Sequence, residues 1–216
     1  CLASSETSMN VIDLSHPLSP DMPVWPGDPA VTAAPYATLE FHGYAAQAWT
    51  LPGHAGTHLD APAHVLTGGA DLASLPLSRC LGPARVVDVP DRGEIGLLRL
   101  PRDLSGLSFL LLRSGHDRHW GRPAYYGDFP RLTVEAAQFL AHSGISGLGL
   151  DWSSPDGPGS AELPAHKVLL GSGLVVVENL RGLERLPETF LFLALPLALE
   201  GGDGAPVRAC ALVEGP

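Results

Sequence analysis

Apolar residues in this chain come in short runs separated by glycine and proline, without the long amphipathic repeats of a helical protein. "MNVIDLSHPLSPDMPVWPGDP" predicts a short strand over residues 10–14, then a loop held extended by Pro17, Pro20, Pro23, Pro26 and Pro29. "ARVVDVP" and "LSFLLLRSG" predict buried strands, each closed by a turn signal. "TVEAAQFLAHSG" is the clearest helix, with Thr133 as N-cap, Glu135 in the first turn, Ala137, Leu140 and Ala141 on one face, and Gly144 as the stop. "ISGLGLDW" and "GLVVVENL" resume strands, and "ETFLFLALPLAL" and "PVRACALV" predict two more. Strands outnumber helices, so the expected fold class is α/β, with mixed β-sheets and few helices.

The 25 glycines and 21 prolines are spread along all 216 residues, which marks no linker, and no internal repeat is visible. One domain is expected over residues 10–216, with residues 1–9 read as an N-terminal extension or tag remnant. Hydrophobic residues make up 45% and charged residues 17%, the composition of a packed protein. With 13 Lys plus Arg against 23 Asp plus Glu, the chain lacks the basic face that a nucleic-acid backbone requires. No apolar run approaches the ~20 residues of a membrane span. Cys1, Cys80 and Cys210 are odd in number and form no CxxC pair, which points to the reducing cytoplasm and away from a thiolate zinc site.

"HAGTHLDAPAH", residues 54–64, is the stretch that carries chemistry. Its three histidines and one aspartate are metal-friendly donors. A continuous helix would align His54 with His58, but Gly56, Thr57 and Pro62 are poor helix formers, and no glutamate follows His54 as in HExxH proteases. A fully extended strand would separate the two histidines by ~13 Å, too far for one ion. The chain must therefore turn between them. Gly53 and Gly56 permit the turn, and Thr57 can bond back to the loop. His58 and Asp60 would share a face, and Pro62 would bend the chain so that His64 returns toward them. Imidazole plus carboxylate without thiolate is the ligand set of catalytic zinc or manganese. Further along, Glu178 ends the apolar run "LVVVE", where a buried carboxylate is costly unless paired or metal-bound; the alternative is a strand end in water. His166 could equally face solvent from a loop. His116, His119 and Tyr125 could line a pocket, with a solvated helix or loop as the preferred reading.

The segment 54–64 resembles the HxGTHxDxPxH signature of the cyclase/bacterial kynurenine formamidase-like family of metal-dependent hydrolases, which includes isatin hydrolases. The likeness extends through "DLSHPLSPDMPVWPGDP", "LLLRSGHDRHWG", "GLDWSSPD", "AHKVLLGSGLVVVENL" and "GAPVRACAL". The resemblance implies the swivelling β/β/α cyclase fold and two divalent ions side by side, zinc or manganese. It implies His54, His58 and Asp60 on the first ion, Asp60 as a bridge, His166 on the second and Glu178 on both. It further implies His64 as catalytic acid/base, Trp25 as a substrate-contacting aromatic, and a homodimer or homotetramer. The implied activity is hydrolysis of an arylformamide such as N-formylkynurenine. The alternatives are a cyclic amide hydrolase of the isatin type and a polyketide-cyclase-like enzyme. A different class, a non-catalytic metal-binding protein, would have a closed coordination shell, whereas an enzyme keeps an open position beside His64.

Overall fold

The computed structural model describes residues 8–215; the expected extension lies outside them except for its last residues, of which Met9 opens a strand. A nine-stranded mixed sheet dominates the chain. In spatial order its strands are Met9–Asp13, Cys210–Glu214, Thr189–Leu193, Leu81–Asp88, Phe109–Arg113, Gly147–Leu150, Val175–Glu178, His58–Asp60 and Gly204–Pro206. The four strands from Leu81–Asp88 to Val175–Glu178 run parallel, and the pairings on either side of them are antiparallel. Phe109–Leu112, Gly147–Leu150 and Val175–Glu178 are buried throughout, as parallel strands covered on both faces must be.

Alternation along these strands feeds two cores. Phe109, Leu111, Val175 and Val177 join one cluster, which also holds Leu59 and Ala205 from one end of the sheet and Phe192 and Ala211 from the other. The bridge between Ser15 and Leu180 ties the two ends further, so the sheet curls around this cluster. Leu110, Leu112, Leu148, Leu150 and Val176 face the opposite way, toward helices α2 (Val134–Ala141) and α3 (Pro164–Gly171). A short helix α1, Leu39–His42, caps a separate two-stranded arm, Thr32–Ala37 paired with Ala46–Thr50, whose apolar side chains remain largely exposed.

Thr133 caps α2 as expected, its Oγ1 accepting the Ala136 amide at 3.2 Å. The helix ends earlier than Gly144 suggested: His142 is its C-cap, and Gly144 sits two residues on at φ +85°. The proline-rich segment is not wholly extended, because it turns at Ser19–Met22 and Trp25–Asp28. The two expected C-terminal strands are three, with Gly204–Pro206 split from Cys210–Glu214 so that it pairs with His58–Asp60 instead. Helix α3, the elements of the arm 32–50 and the small parallel pair Gly93–Ile95 with Pro130–Leu132 had no legible periodicity, each element being only 3–8 residues long.

Candidate active site

The sheet brings the first two groups of donors together by register. His58–Asp60 pairs antiparallel with Val175–Glu178, setting His58 opposite Glu178 and Asp60 opposite Val176. Directly opposed residues share a face, so His58, Asp60, Val176 and Glu178 all point to the helix side, while Leu59 and Val177 fill the other core. Onto that face α3 lays its apolar stripe of Ala165, His166, Leu169 and Leu170. His166 therefore sits buried in a helix, not in the solvent-facing loop that was the equal alternative.

Turns deliver the rest. Gly56 holds φ +66°, the left-handed region that glycine enters without strain. Thr57 does not bond back to its own loop. Its hydroxyl donates to Asn179 O at 2.6 Å and accepts from His16 N at 2.9 Å, fastening the turn to two distant segments. Past Asp60, Pro62–His64 forms one 3-10 turn with proline at its start, which brings the His64 ring within 4.1 Å of the His54 ring.

The resulting cluster has two carboxylates between three imidazoles. Asp60 Oδ1 lies 2.7 Å from His54 Nδ1 and 3.3 Å from His58 Nε2, and its Oδ2 lies 3.6 Å from His166 Nε2. Glu178 approaches His58 Nε2 at 3.3 Å and His166 Nε2 at 3.2 Å. Asp60, His58, His166 and Glu178 are each at least nine-tenths buried. Glu178 is thus no strand end in water.

Every imidazole also has an acceptor on its outer side. His166 Nδ1 meets Asp156 Oδ2 at 2.7 Å, His58 Nδ1 meets Gly56 O at 2.9 Å, and His54 Nε2 meets Asp203 Oδ2 at 3.1 Å. Each outer acceptor claims a ring N–H, so in the neutral ring the inner nitrogen turns a lone pair toward the carboxylate oxygens. Lone pair facing lone pair in a buried site is repulsive unless a cation lies between them. His58 Nε2, Asp60 Oδ2 and Glu178 Oε1 accordingly have no hydrogen-bond partner. This donor set of imidazole and carboxylate fits a divalent ion, and among the described residues three groups converge closely enough: His54, His58 and Asp60; Asp60, His166 and Glu178; and the more exposed His54, His64 and Asp203.

The field at the cluster is negative. Burial pushes the His58 imidazolium down, but the Asp60 and Glu178 carboxylates outweigh it and raise its pKa to about 10. His166 is also raised well above the ordinary value: burial opposes, and Asp156, Asp60 and Glu178 prevail. For Asp60 burial works upward, yet the surrounding imidazoles hold the carboxyl well below its usual range. A site that binds protons this tightly attracts metal cations for the same reason.

The donors open onto a cavity of about 290 Å³ whose lining includes His54, His58, His64, His166 and Glu178 on one side and Trp25, Asp28 and Tyr126 on the other. Trp25 is 36% exposed and packs edge-on against Tyr126, ring centroids 5.5 Å apart. Ser153 also lines the cavity, buried, with its hydroxyl unpaired. Two expectations need correction. His116 and Tyr125 are buried, not solvated, and neither lines this cavity. His116 Nε2 donates to Tyr125 O at 2.9 Å, and Tyr125 donates its hydroxyl to Asn179 at 2.6 Å. Tyr126, the next residue, is the one that reaches the cavity.

Asp156, Asp203, Asn179, Tyr126 and Ser153 were not singled out from the sequence. Asp156 accepts the Ala165 and His166 amides at 2.8 and 3.0 Å, so it caps α3 while orienting His166. "SPD" ten residues before a histidine was the only available signal.

Residues 12–157 match the family model described as putative cyclase. The chain belongs to the cyclase family. It is 35% identical to the kynurenine formamidase of Bacillus cytotoxicus over 201 residues, 92% of this chain and 95% of that protein. It is 34% identical to the kynurenine formamidase of Bacillus anthracis over the same shares. Among solved structures, isatin hydrolase A from Labrenzia aggregata superposes with TM-score 0.83 at 26% identity, covering 96% of this chain and 94% of that one. A Bacillus stearothermophilus protein described as a metal-dependent hydrolase gives TM-score 0.77 at 28% identity, covering 95% and 98%. This cyclase-family chain shares the mixed α/β fold of these neighbours.

Proposed function

We propose that the protein is a metal-dependent hydrolase of non-peptide C–N bonds acting on an arylformamide of the N-formylkynurenine type. One observation carries this reading: two buried carboxylates, Asp60 and Glu178, are wedged between imidazoles from three separate elements, with orphaned atoms facing inward and an aromatic-walled cavity alongside. The kynurenine formamidase and isatin hydrolase relatives support it.

His54, His58 and Asp60 would hold one divalent ion and Asp60, His166 and Glu178 a second, with Glu178 reaching both. Such ions, when bound, supply Lewis acidity and bring the pKa of water from 15.7 down to roughly 7. His64 stands at the cavity edge as acid/base, a role suited to an imidazole whose ordinary pKa lies near 6.5. It takes the proton of the attacking water and returns it to the amine nitrogen as the C–N bond breaks, releasing formate and an arylamine. Trp25 and Tyr126 offer the aryl ring an edge and a face, and the free Ser153 hydroxyl offers a donor to its polar edge. A cavity beside the donors favours an enzyme over a protein in which the cluster only staples a loop.

The zinc form is proposed, with manganese as the alternative that the same donors accept. A second copy of the chain is the proposed partner, as homodimer or homotetramer, because the arm 32–50 exposes Tyr36, Leu39, Phe41 and Tyr44 together. Sedimentation velocity of the native chain and of Phe41→Glu tests that assembly. No described helix is long and apolar enough to cross a membrane, and Cys80 and Cys210 are free thiols, which fits the reducing cytoplasm as the proposed location. The deciding experiment measures hydrolysis of N-formylkynurenine and of isatin by zinc- and manganese-loaded protein against a chelated control. Metal-dependent turnover of the formamide supports the reading, turnover of isatin alone moves it to cyclic amides, and turnover of neither sinks it.

A further inference from the structure

The acid/base assigned to His64 needs its proton on a defined ring nitrogen, and one side chain is placed to fix it. Asp203 Oδ2 lies 3.4 Å from His64 Nδ1 and 3.1 Å from His54 Nε2. A single carboxylate oxygen thus touches both the ring proposed to move protons and a ring proposed to hold an ion. Its placement is built into the fold. The Asp203 carbonyl accepts the Ala61 amide at 2.9 Å, locking residue 203 beside the end of strand His58–Asp60, and Gly204 begins the neighbouring strand. A Cβ on Gly204 would lie 2.5 Å from His54 Cε1, and one on Gly53 would lie 2.7 Å from Gly204 O. The segment "GDG" is therefore moulded around the His54 ring, and Asp203 projects from the point where that ring and His64 meet.

We infer that Asp203 is a positioning residue for the reaction: it holds the proton of His64 on Nδ1, leaving Nε2 free to face the substrate, and stabilises the imidazolium between proton uptake and delivery. This inference rests on the proposed role of His64. The carboxylate does not itself take the proton. In the first half-reaction a proton passes from the attacking water to His64 Nε2, and the charge of the resulting imidazolium is met by Asp203. In the second half, the same proton goes to the departing arylamine nitrogen as the C–N bond breaks, and His64 returns to neutral. The second transfer matters most when the leaving group is a poor one, because an amine cannot depart as an anion, whereas an activated phenolate can.

That asymmetry gives the test. Asp203→Ala and Asp203→Asn, loaded with zinc and checked for ion content by elemental analysis, are compared with the native chain on an arylformamide and on an aryl formate ester with a strongly acidic phenol. The expected result is a fall in kcat of about 10- to 100-fold on the formamide in the alanine variant. KM should change little, the ester should lose much less, and at saturating zinc the ion content should be native, the lost contact to His54 weakening metal affinity only. In ¹⁵N-histidine spectra the His64 proton should move from Nδ1 toward Nε2, the nitrogen it favours in water. Equal losses on both substrates, a loss that follows missing metal, an unmoved His64 proton or near-native turnover of the formamide would each overturn the inference. Because the native chain is measured on the same formamide, its failure to turn over would instead count against the proposed function.

Discussion

Two regions of this protein gather histidines, and they do opposite things. Around residue 60, imidazoles converge on carboxylates, and His58 Nε2, Asp60 Oδ2 and Glu178 Oε1 are left without a hydrogen-bond partner. Around residue 116, His116 and His119 pack edge-on, ring centroids 5.2 Å apart, beside Tyr125 and Phe129, and His116 is satisfied by a backbone carbonyl. Burial pushes His116 below its ordinary pKa, whereas His58 is driven above it by facing carboxylates. The comparison teaches that crowding of histidines is not the mark of a metal site. The mark is an acid opposite each ring together with a second acceptor behind it.

The strongest way to break the contrast is to remove the shared acid. Asp60→Ala should lower bound metal, read by elemental analysis, and bring turnover down to that of the chelated native chain, several kcal/mol of rate acceleration being lost. His64→Ala should keep the metal and lose about 10²- to 10⁴-fold in kcat; near-native turnover would remove His64 from the mechanism. Asp156→Asn should weaken metal affinity by about 10- to 100-fold in a chelator competition, since His166 would lose the acceptor that orients it.

The other region should respond in stability and not in chemistry. His116→Phe is expected to cost about 1–3 kcal/mol in denaturant unfolding by orphaning the Tyr125 carbonyl, with metal content unchanged. The smallest effect concerns His16, stacked on Trp120 at 4.0 Å and pushed down to about 4, mainly by burial and then by the Arg181 charge. Its unfolded value is the ordinary 6.5, so the stability it contributes is present above pH 6.5 and lost as pH falls toward 4. His16→Gln should lack that part of the pH dependence, so the native-minus-variant stability difference should fall as pH drops from 6.5 toward 4; a difference constant with pH would contradict the assignment.

Much of this was legible in the residues. The strand at 109–113 and the helix after Thr133 were readable because their apolar spacing matches a buried strand and a helix face. His54, His58, Asp60 and His64 stood out because four donors in eleven residues conflict with an ordinary surface or core, whereas Glu178, with a strand end in water as its alternative, and His166 were named as ligands only through the family resemblance. Asp156 and Asp203 could not be found in this way. Each lies in a glycine-rich loop where an aspartate is ordinary, and each acquires meaning only from the ring it faces.

The sequence by itself determined the donor chemistry, the breaks that force a turn at Gly56, and the apolar runs that must become a two-faced sheet, because these depend on residue type and local backbone freedom. Only the tertiary structure decided that Glu178 lies opposite His58, that α3 lowers His166 onto the same face, and that the edge strand at Gly204 brings Asp203 between two histidines. Those placements come from strand register and helix docking, which long-range packing fixes and no local pattern encodes.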